Sequence, residues 1–345
     1  MRTELNTTFQ LQLPDGLTAC PGKLSDYKSA FELINAFARH INGHNELTDP
    51  EFLHKDWQNP GFNPETDMYT IFDTNGKMVA LAETWLTQKP PVHPWNSVCV
   101  HPDYLDSKLW QYMLNWAENR SRSVLSQVPA HIRVTLRTGT DHRNTHGEEI
   151  YQLLGWRLFR SFYRMETDLN SPPQLPLPPE GIIVRPFHPD TETEAVYRAF
   201  SDAFRDHFDF VEQPFDEGFA EFKHDLINEP GYNPKFWFIA LDENEIAGVC
   251  ICRPTSEADP ESGFVNELGV RRAWRHRGLG SLLLKHAFTA FYHAGQKRAS
   301  LTVDASSLTG ALHLYEQAGM HVVRQFDNYE KEIRPGLELG TQELT

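Results

Sequence analysis

The stretch VRRAWRHRGLGSLLL, Val270 to Leu284, gathers residue types that can hold an anion. Five of its first eight residues are basic, in a chain whose formal net charge is −15. Gly-Leu-Gly then opens an apolar run with the leucines of one helix face. A glycine-bearing loop running into a helix presents unpaired backbone N–H groups at the positive end of the helix dipole, which makes an anion site. Gly278 and Gly280 let the backbone approach a ligand that a Cβ would hold off. Arg275 and Arg277 add charge suited to phosphate oxygens. The chemistry so described is a pyrophosphate cradle. A solvated basic loop, eased round its turn by glycine, is the competing reading of R-x-x-G-x-G alone. The stretch lacks the lysine of a P-loop and the acidic residue that ends a second strand in dinucleotide-binding folds.

The elements that must position this loop follow from periodicity. NELGV reads as a strand ending at Val270, RRAWRHRGLG as the loop, and SLLLKHAFTAFYHAG as a helix stopped by Gly295. The surrounding sequence is written twice. Each half opens with a short strand (TFQLQL; GIIVRPF) and a helical stretch (YKSAFELINAFARHI; TEAVYRAFSDAF). A hairpin follows, MYTIFDTNGKMVALAETWL in the first half and FWFIALDENEIAGVCICRP in the second, with polar tips at Thr74-Asn75-Gly76 and Asp242-Glu243-Asn244. Each half closes with a tyrosine-bearing helix, a glycine and a last strand: IYQLLGWRLFRSFYRMETDL and LYEQAGMHVVRQFDNYEKEI. Between the copies, SPPQLPLPPEG (Ser171 to Gly181) holds five prolines and reads as an extended, semi-rigid spacer. The expected division is 1–170, a linker at 171–181, 182–335 and a tail at 336–345.

At 345 residues the chain is long enough for two cores, and its apolar and charged fractions are those of a globular protein. The acidic balance argues against nucleic acid as partner. No apolar run approaches the length of a membrane span, and MRTELNTTFQLQLPDG has no signal-peptide pattern, so the expectation is cytoplasmic. Cys20, Cys99, Cys250 and Cys252 form no disulfide framework and no CxxC, and no metal is expected. Cys250 and Cys252 share one face of a strand and read as buried.

With LGV before it and ALHLYEQAG some thirty residues on, Arg275-His276-Arg277-Gly278-Leu279-Gly280 resembles the GCN5-related N-acetyltransferase (GNAT) superfamily. The two-copy arrangement is similar to mycothiol synthase and its tandem-domain relatives. The resemblance spans Gly181 to about Ile333 with good motifs and Phe9 to Leu169 with poor ones. It implies an α/β fold of two tandem domains, each a mixed, mostly antiparallel sheet flanked by helices. It further implies acetyl-CoA as co-substrate, with Leu268 and Val270 pairing with pantetheine and Arg275, His276, Arg277, Gly278, Leu279, Gly280 and Ser281 round the phosphates. Acyl transfer to an amine needs a base and an acid for the departing thiolate. Tyr315 falls on the family's general acid, and Glu267, three residues before Val270, is the candidate base, with Asp304 behind it. Each has a plainer reading, Tyr315 as a core aromatic and Glu267 as an exposed strand carboxylate. FRDHFDF (Phe204 to Phe210) lies where the family recognises its acceptor, and Asp206 and His207 are candidates to meet a cationic amine. They also fit a polar surface loop. The chain departs from the family at Leu308, often asparagine, and at Gly319-Met320, usually Gly-Phe.

Aligned on Val100 and Val270, the first half has Leu105 for Arg275, Lys108 and Trp110 for Gly278 and Gly280, and Ser97 for Glu267, with Asp106 beside them. Asn144 and Tyr151 keep the spacing of the second motif. The expectation is a first half that keeps the fold and has lost the cofactor site. Taken together, these residues read as an N-acetyltransferase acting on a small-molecule amine. A peptide amine as acceptor, or an acyl-CoA-binding module without turnover, are the alternatives. Oligomeric state is not legible.

Overall fold

The computed structural model describes residues 12–106, 108–228, 231–307 and 309–342. The first half contains β1 (Thr18–Pro21), α1 (Tyr27–Asn42), α2 (Glu51–Asp56), α3 (Pro64–Asp67), β2 (Met68–Phe72), β3 (Met78–Trp85), β4 (Trp95–Val100), α4 (Leu109–Arg122), β5 (Val134–Asp141), α5 (Thr145–Leu153) and β6 (Arg157–Asp168). The second contains β7 (Ile182–Pro186), α6 (Pro189–Phe204), α7 (Phe215–Phe222), β8 (Phe238–Asp242), β9 (Glu245–Arg253), β10 (Ser262–Val270), α8 (Leu279–His293), β11 (Arg298–Asp304), α9 (Ala311–Gln317) and β12 (His321–Arg334). Residues 171–179 form neither helix nor strand. Most of TFQLQL lies outside the described residues, as does Leu308. The strand that pairs with β2 is β1, further along, because its partners are Tyr69 to Phe72.

Local chemistry accounts for the elements. Alpha1 turns Ala30, Leu33 and Ala38 inward and stops at Gly43, whose φ of 85° suits glycine alone. Alpha6 starts earlier than its apolar spacing predicts, because Pro189 fits the first turn. The hairpin tip at Asp73 to Lys77 closes on the Asp73 carboxylate, which accepts from the N–H groups of Asn75 and Lys77. Alpha8 buries Leu282, Leu283, Leu284, Ala287, Phe288 and Phe291 against β8 to β11. Each such side chain contributes about 1.5–3 kcal/mol. Cys250 and Cys252 are free and fully buried on β9, their sulfurs 3.5 Å apart.

The strands form one sheet, in the order β1-β2-β3-β4-β5-β12-β6-β11-β10-β9-β8-β7. It is mixed: β4 with β5 and β10 with β11 are parallel, and the other pairs are antiparallel. The two halves exchange their last strands. Beta12 lies between β5 and β6, and β6 lies between β12 and β11. The exchange covers the open edge that each half-sheet would otherwise present. It also makes the two halves one hydrogen-bonded body. Residues beyond β12 complete the seam: Leu337 pairs with His131 and Arg133, and Thr341 with Asp209 and Phe210.

Candidate acyl-transfer site

The parallel pair β10 and β11 is short. Registered pairing runs only from Ser262 with Arg298 to Val265 with Leu301, and beyond a bulge at Asn266 the strands part. Arg271 N–H bonds Ala247 of β9, so by strand alternation Leu268 and Val270 turn their backbone groups to the gap. Part of that edge is already used, since the Val270 carbonyl accepts from Arg275 Nε at 3.0 Å.

Beside the gap, the loop enters α8 through Gly278, at φ 80°, with no side chain capping the helix. Among the described residues, none of the backbone N–H groups from His276 to Ser281 donates to a carbonyl. These are the orphan donors an anion would satisfy. A Cβ on Gly280 would come within 3.3 Å of the Leu314 side chain, so the groove floor leaves little room there. The basic residues divide their work. Arg275 is bolted inward, to the Asp206 carboxylate and to the Ala203 carbonyl at 3.0 Å. Arg277 is exposed and makes one long contact, from Nη1 to the Asp242 carboxylate at 3.4 Å. The groove formed by this loop, Leu268, Val270 and α9 encloses about 390 Å³.

A second cavity of about 640 Å³ opens between the two halves. Its walls include Trp85, Trp95, Arg137 and Phe159 from the first half and Phe208, Glu221 and Glu267 from the second. The two cavities share His207, Leu268, Thr309, Ala311 and Tyr315. Tyr315, 7 % exposed, is thus common to both. Burial, then Cys250 and Glu267, raise its pKa above the ordinary phenol value, so it keeps its proton at neutral pH. Glu267 opens on the second cavity, and protein packed round its carboxyl pushes its pKa up to about 8. His207 is held below the ordinary histidine pKa, first by burial and then by Arg275.

The structure brings Tyr315 and His207 to the meeting of the cavities and Glu267 to the wall of the second, with the loop residues Arg275 to Ser281 along the groove. It does not bring Asp206 there. That carboxylate, 5 % exposed as a residue, lies under the loop in ion pairs with Arg272 and Arg275, which hold its pKa low. Asp304 is likewise taken, by Arg160 at 2.5 Å. The residues supplied by the first half, Trp95 and Arg137 above all, carry no local motif. Only the exchanged strands place them at the cavity, and their sequence gave no signal for it. Near the rim, His93 Nε2 lies 3.1 Å from Asp209 and 3.0 Å from Glu338, a trio with ligand-type atoms. Arg137 and Arg133 already pair with those two carboxylates, so the trio ties the C-terminal segment to both halves.

In the first half Trp110 is 1 % exposed and packs on Phe37, His146 and Tyr151 at centroid distances of 5.4, 6.3 and 6.4 Å. In sequence it aligns with Gly280 of the second half. Tyr151 is fully buried. Asn144 caps α5 through Gly147 N–H at 3.1 Å.

Residues 193–320 match the model of the acetyltransferase (GNAT) family. A mycothiol acetyltransferase of Streptomyces scabiei is 27 % identical over 216 residues, 61 % of this chain and 65 % of that protein. One of Streptomyces bingchenggensis is 28 % identical over 204 residues and 61 % of its length. The match therefore spans less than two thirds of these relatives. Among solved structures, a GCN5-related N-acetyltransferase from Sphaerobacter thermophilus superposes with a TM-score of 0.79 at 28 % identity, covering 96 % of this chain and 100 % of that one. A tandem GNAT protein from the clavulanic acid biosynthesis pathway shares the fold, with a TM-score of 0.65 at 12 % identity over 93 % of this chain and 100 % of its own. The family uses acetyl-CoA, and a loop of orphan N–H groups beside a parted strand pair fits that molecule's phosphates and arm. Residues 193–320 thus match the GNAT family model, and the chain as a whole is similar to tandem GNAT proteins and to the mycothiol acetyltransferases.

Proposed function

We propose that the chain moves an acetyl group from acetyl-CoA to the amine of a small molecule, at a single site in residues 182–335. Residues 1–170, joined through the linker at 171–181, wall the acceptor cavity and do no chemistry. The carrying observation is the meeting of the two cavities at Tyr315, with Glu267 on the acceptor side. The thioester supplies an activated acyl carbon, and the protein supplies position and proton traffic. The N–H groups of His276 to Ser281, with Arg277, hold the pyrophosphate. The free backbone edge at Leu268 and the N–H of Val270 hold the arm. Glu267 takes a proton from the incoming ammonium. With a pKa of about 8, about a tenth of it is ionised at pH 7. Tyr315, which keeps its proton, gives it to the departing thiolate.

A small acceptor agrees with the cavity's volume and aromatic walls. The relatives' name, mycothiol acetyltransferase, points to small-molecule chemistry of the same kind. Among the described residues no helix is long and apolar enough to cross a membrane. Four free thiols suit a reducing compartment, and we assign the protein to the cytoplasm.

The test is release of CoA thiol on adding acetyl-CoA and a panel of primary amines. Wild type is expected to turn over, and Tyr315→Phe to lose about 10²-fold in kcat while binding acetyl-CoA as before. Full-rate turnover by the variant would remove Tyr315 from the mechanism. Tight acetyl-CoA binding with no amine-dependent release would make the chain an acyl-CoA-binding module instead.

A further inference from the structure

The first half keeps a cavity that acyl transfer does not use. It lies between α1 and the parted ends of β4 and β5, which are paired only at Trp95 with Arg137 and Asn96 with Thr138. It encloses about 500 Å³, within the range of small-molecule sites. Its position corresponds to the acceptor side of the second half, because α1 stands to β4 as α6 stands to β10. Ile34, Phe37 and Ile41 of α1 line it, facing Trp95, Phe162 and Phe326.

Among the described residues, no cation pairs with one acidic side chain of its lining, Glu83. Glu83, 8 % exposed, accepts from the Trp57 indole N–H at 2.6 Å. Burial pushes the pKa of its carboxyl up, against the Trp57 and Trp85 indole N–H groups that both donate to it. The other two carboxylates of the lining are paired: Arg324 bridges Asp141 at 2.5 Å and Glu46 at 2.7 Å, and Asp141 also pairs with Arg143. The register gives Glu83 a further meaning. It sits directly across from Ser97, and Ser97 occupies the place of Glu267 in the second half. The first half thus carries a carboxyl on the neighbouring strand, opposite the serine that aligns with Glu267.

We propose that this cavity binds a small apolar amine, its ammonium on Glu83 and its body among the α1 and aromatic side chains. Two indole N–H groups hydrogen-bond this carboxyl but bring no counter-charge, and an ammonium would supply the ion pair. Aromatic faces round the same space add cation–π attraction. An anion would meet Glu83 with like charge, and a polyhydroxylated neutral molecule would find apolar walls. The site adjoins the acceptor cavity, with which it shares Trp95, Phe162, Thr302 and Asn328, but Glu83 lies outside that cavity's lining, and the site stands whether or not acyl transfer does.

The experiment is isothermal titration of the full chain with 2-phenylethylammonium chloride at pH 7, with phenylacetate and 2-phenylethanol as charge controls. The amine is expected to bind saturably and both controls at least tenfold more weakly. Glu83→Gln should weaken the amine at least tenfold. Ile41→Trp, which fills the cavity without touching Glu83, should abolish binding, so the proposal stays testable if either variant fails to fold. Gly280→Trp and Glu267→Gln should bind as wild type. Absence of saturable binding would overturn the proposal. So would binding that survives both cavity variants, that disappears in Glu267→Gln, or that phenylacetate matches.

Discussion

Replacing Gly280 with tryptophan copies the first half's Trp110 into the second and asks whether one residue closes the cofactor groove. The magnitude follows from the loop. A Cβ at position 280 would stand 3.3 Å from Leu314 Cδ2 and 4.0 Å from Val270 Cγ2, so the indole has no free space below and must extend into the groove. There it covers the N–H groups of Gly280 and its neighbours, which have no other acceptor among the described residues. Losing two charge-assisted hydrogen bonds at about 1.5–3 kcal/mol each amounts to roughly 3–6 kcal/mol, or about 10²–10⁴-fold in affinity. The assay is isothermal titration with acetyl-CoA, with thermal melting to check the fold. Gly280→Ala is the graded companion. Its methyl meets only the flexible end of Leu314, and alanine improves the helix by up to about 1 kcal/mol, so it should fold well and bind with an intermediate loss. Wild type should bind one equivalent and the tryptophan variant none. If folded Gly280→Trp binds within about threefold of wild type, the glycine loop is not the cofactor site.

Three further outcomes are expected. Glu267→Gln should abolish the rise of kcat/KM with pH near 8, since the base must be ionised and its pKa is pushed up to about 8. The same shift has an opposite sign for stability. The fold favours the protonated carboxyl, so its contribution falls as pH rises from about 4.5 towards 8; the variant should melt with a flatter pH dependence there, and an unchanged rate profile would exclude Glu267 as base. Asp206→Asn should lower the melting temperature at neutral pH and weaken acetyl-CoA binding, because it frees Arg275 and Arg272 beneath the loop. Arginines hold the native pKa of Asp206 low, so its contribution is present above the unfolded pKa and lost as pH falls through the native one; equal melting at pH 7 would refute this. Residues 1–170 produced alone should self-associate or aggregate, because both sheet neighbours of β6 and the outer neighbour of β5 belong to the second half. A monomeric fragment with a cooperative melt would contradict that.

Much of this molecule was legible because local rules act over short spans. The hairpins at Asp73 to Lys77 and at Asp242 to Glu245, the stop at Gly295, and the strand-loop-helix at Val270 to Leu284 each need only neighbours in sequence. The same holds for the contrast between Gly280 and Trp110, since bulk at a position that must admit a ligand reads directly from residue type. Asp206 is where such reasoning misplaced a residue. Its composition context suggested an amine partner, but two arginines from a loop more than sixty residues away had the stronger claim on its charge.

By itself, then, the sequence determined the duplication, the hairpin and strand-loop-helix elements that the halves share, and the contrast between Gly280 and Trp110, all properties of residue type and spacing. Only the tertiary structure decided that the copies trade their last strands, that Trp95 and Arg137 of one half wall the cavity of the other, and that no cation among the described residues pairs with Glu83. Those are facts of long-range pairing. A strand's partner depends on which open edge it meets in the folded sheet, and a charge's fate on what is packed round it, neither of which is written within reach of the residue itself.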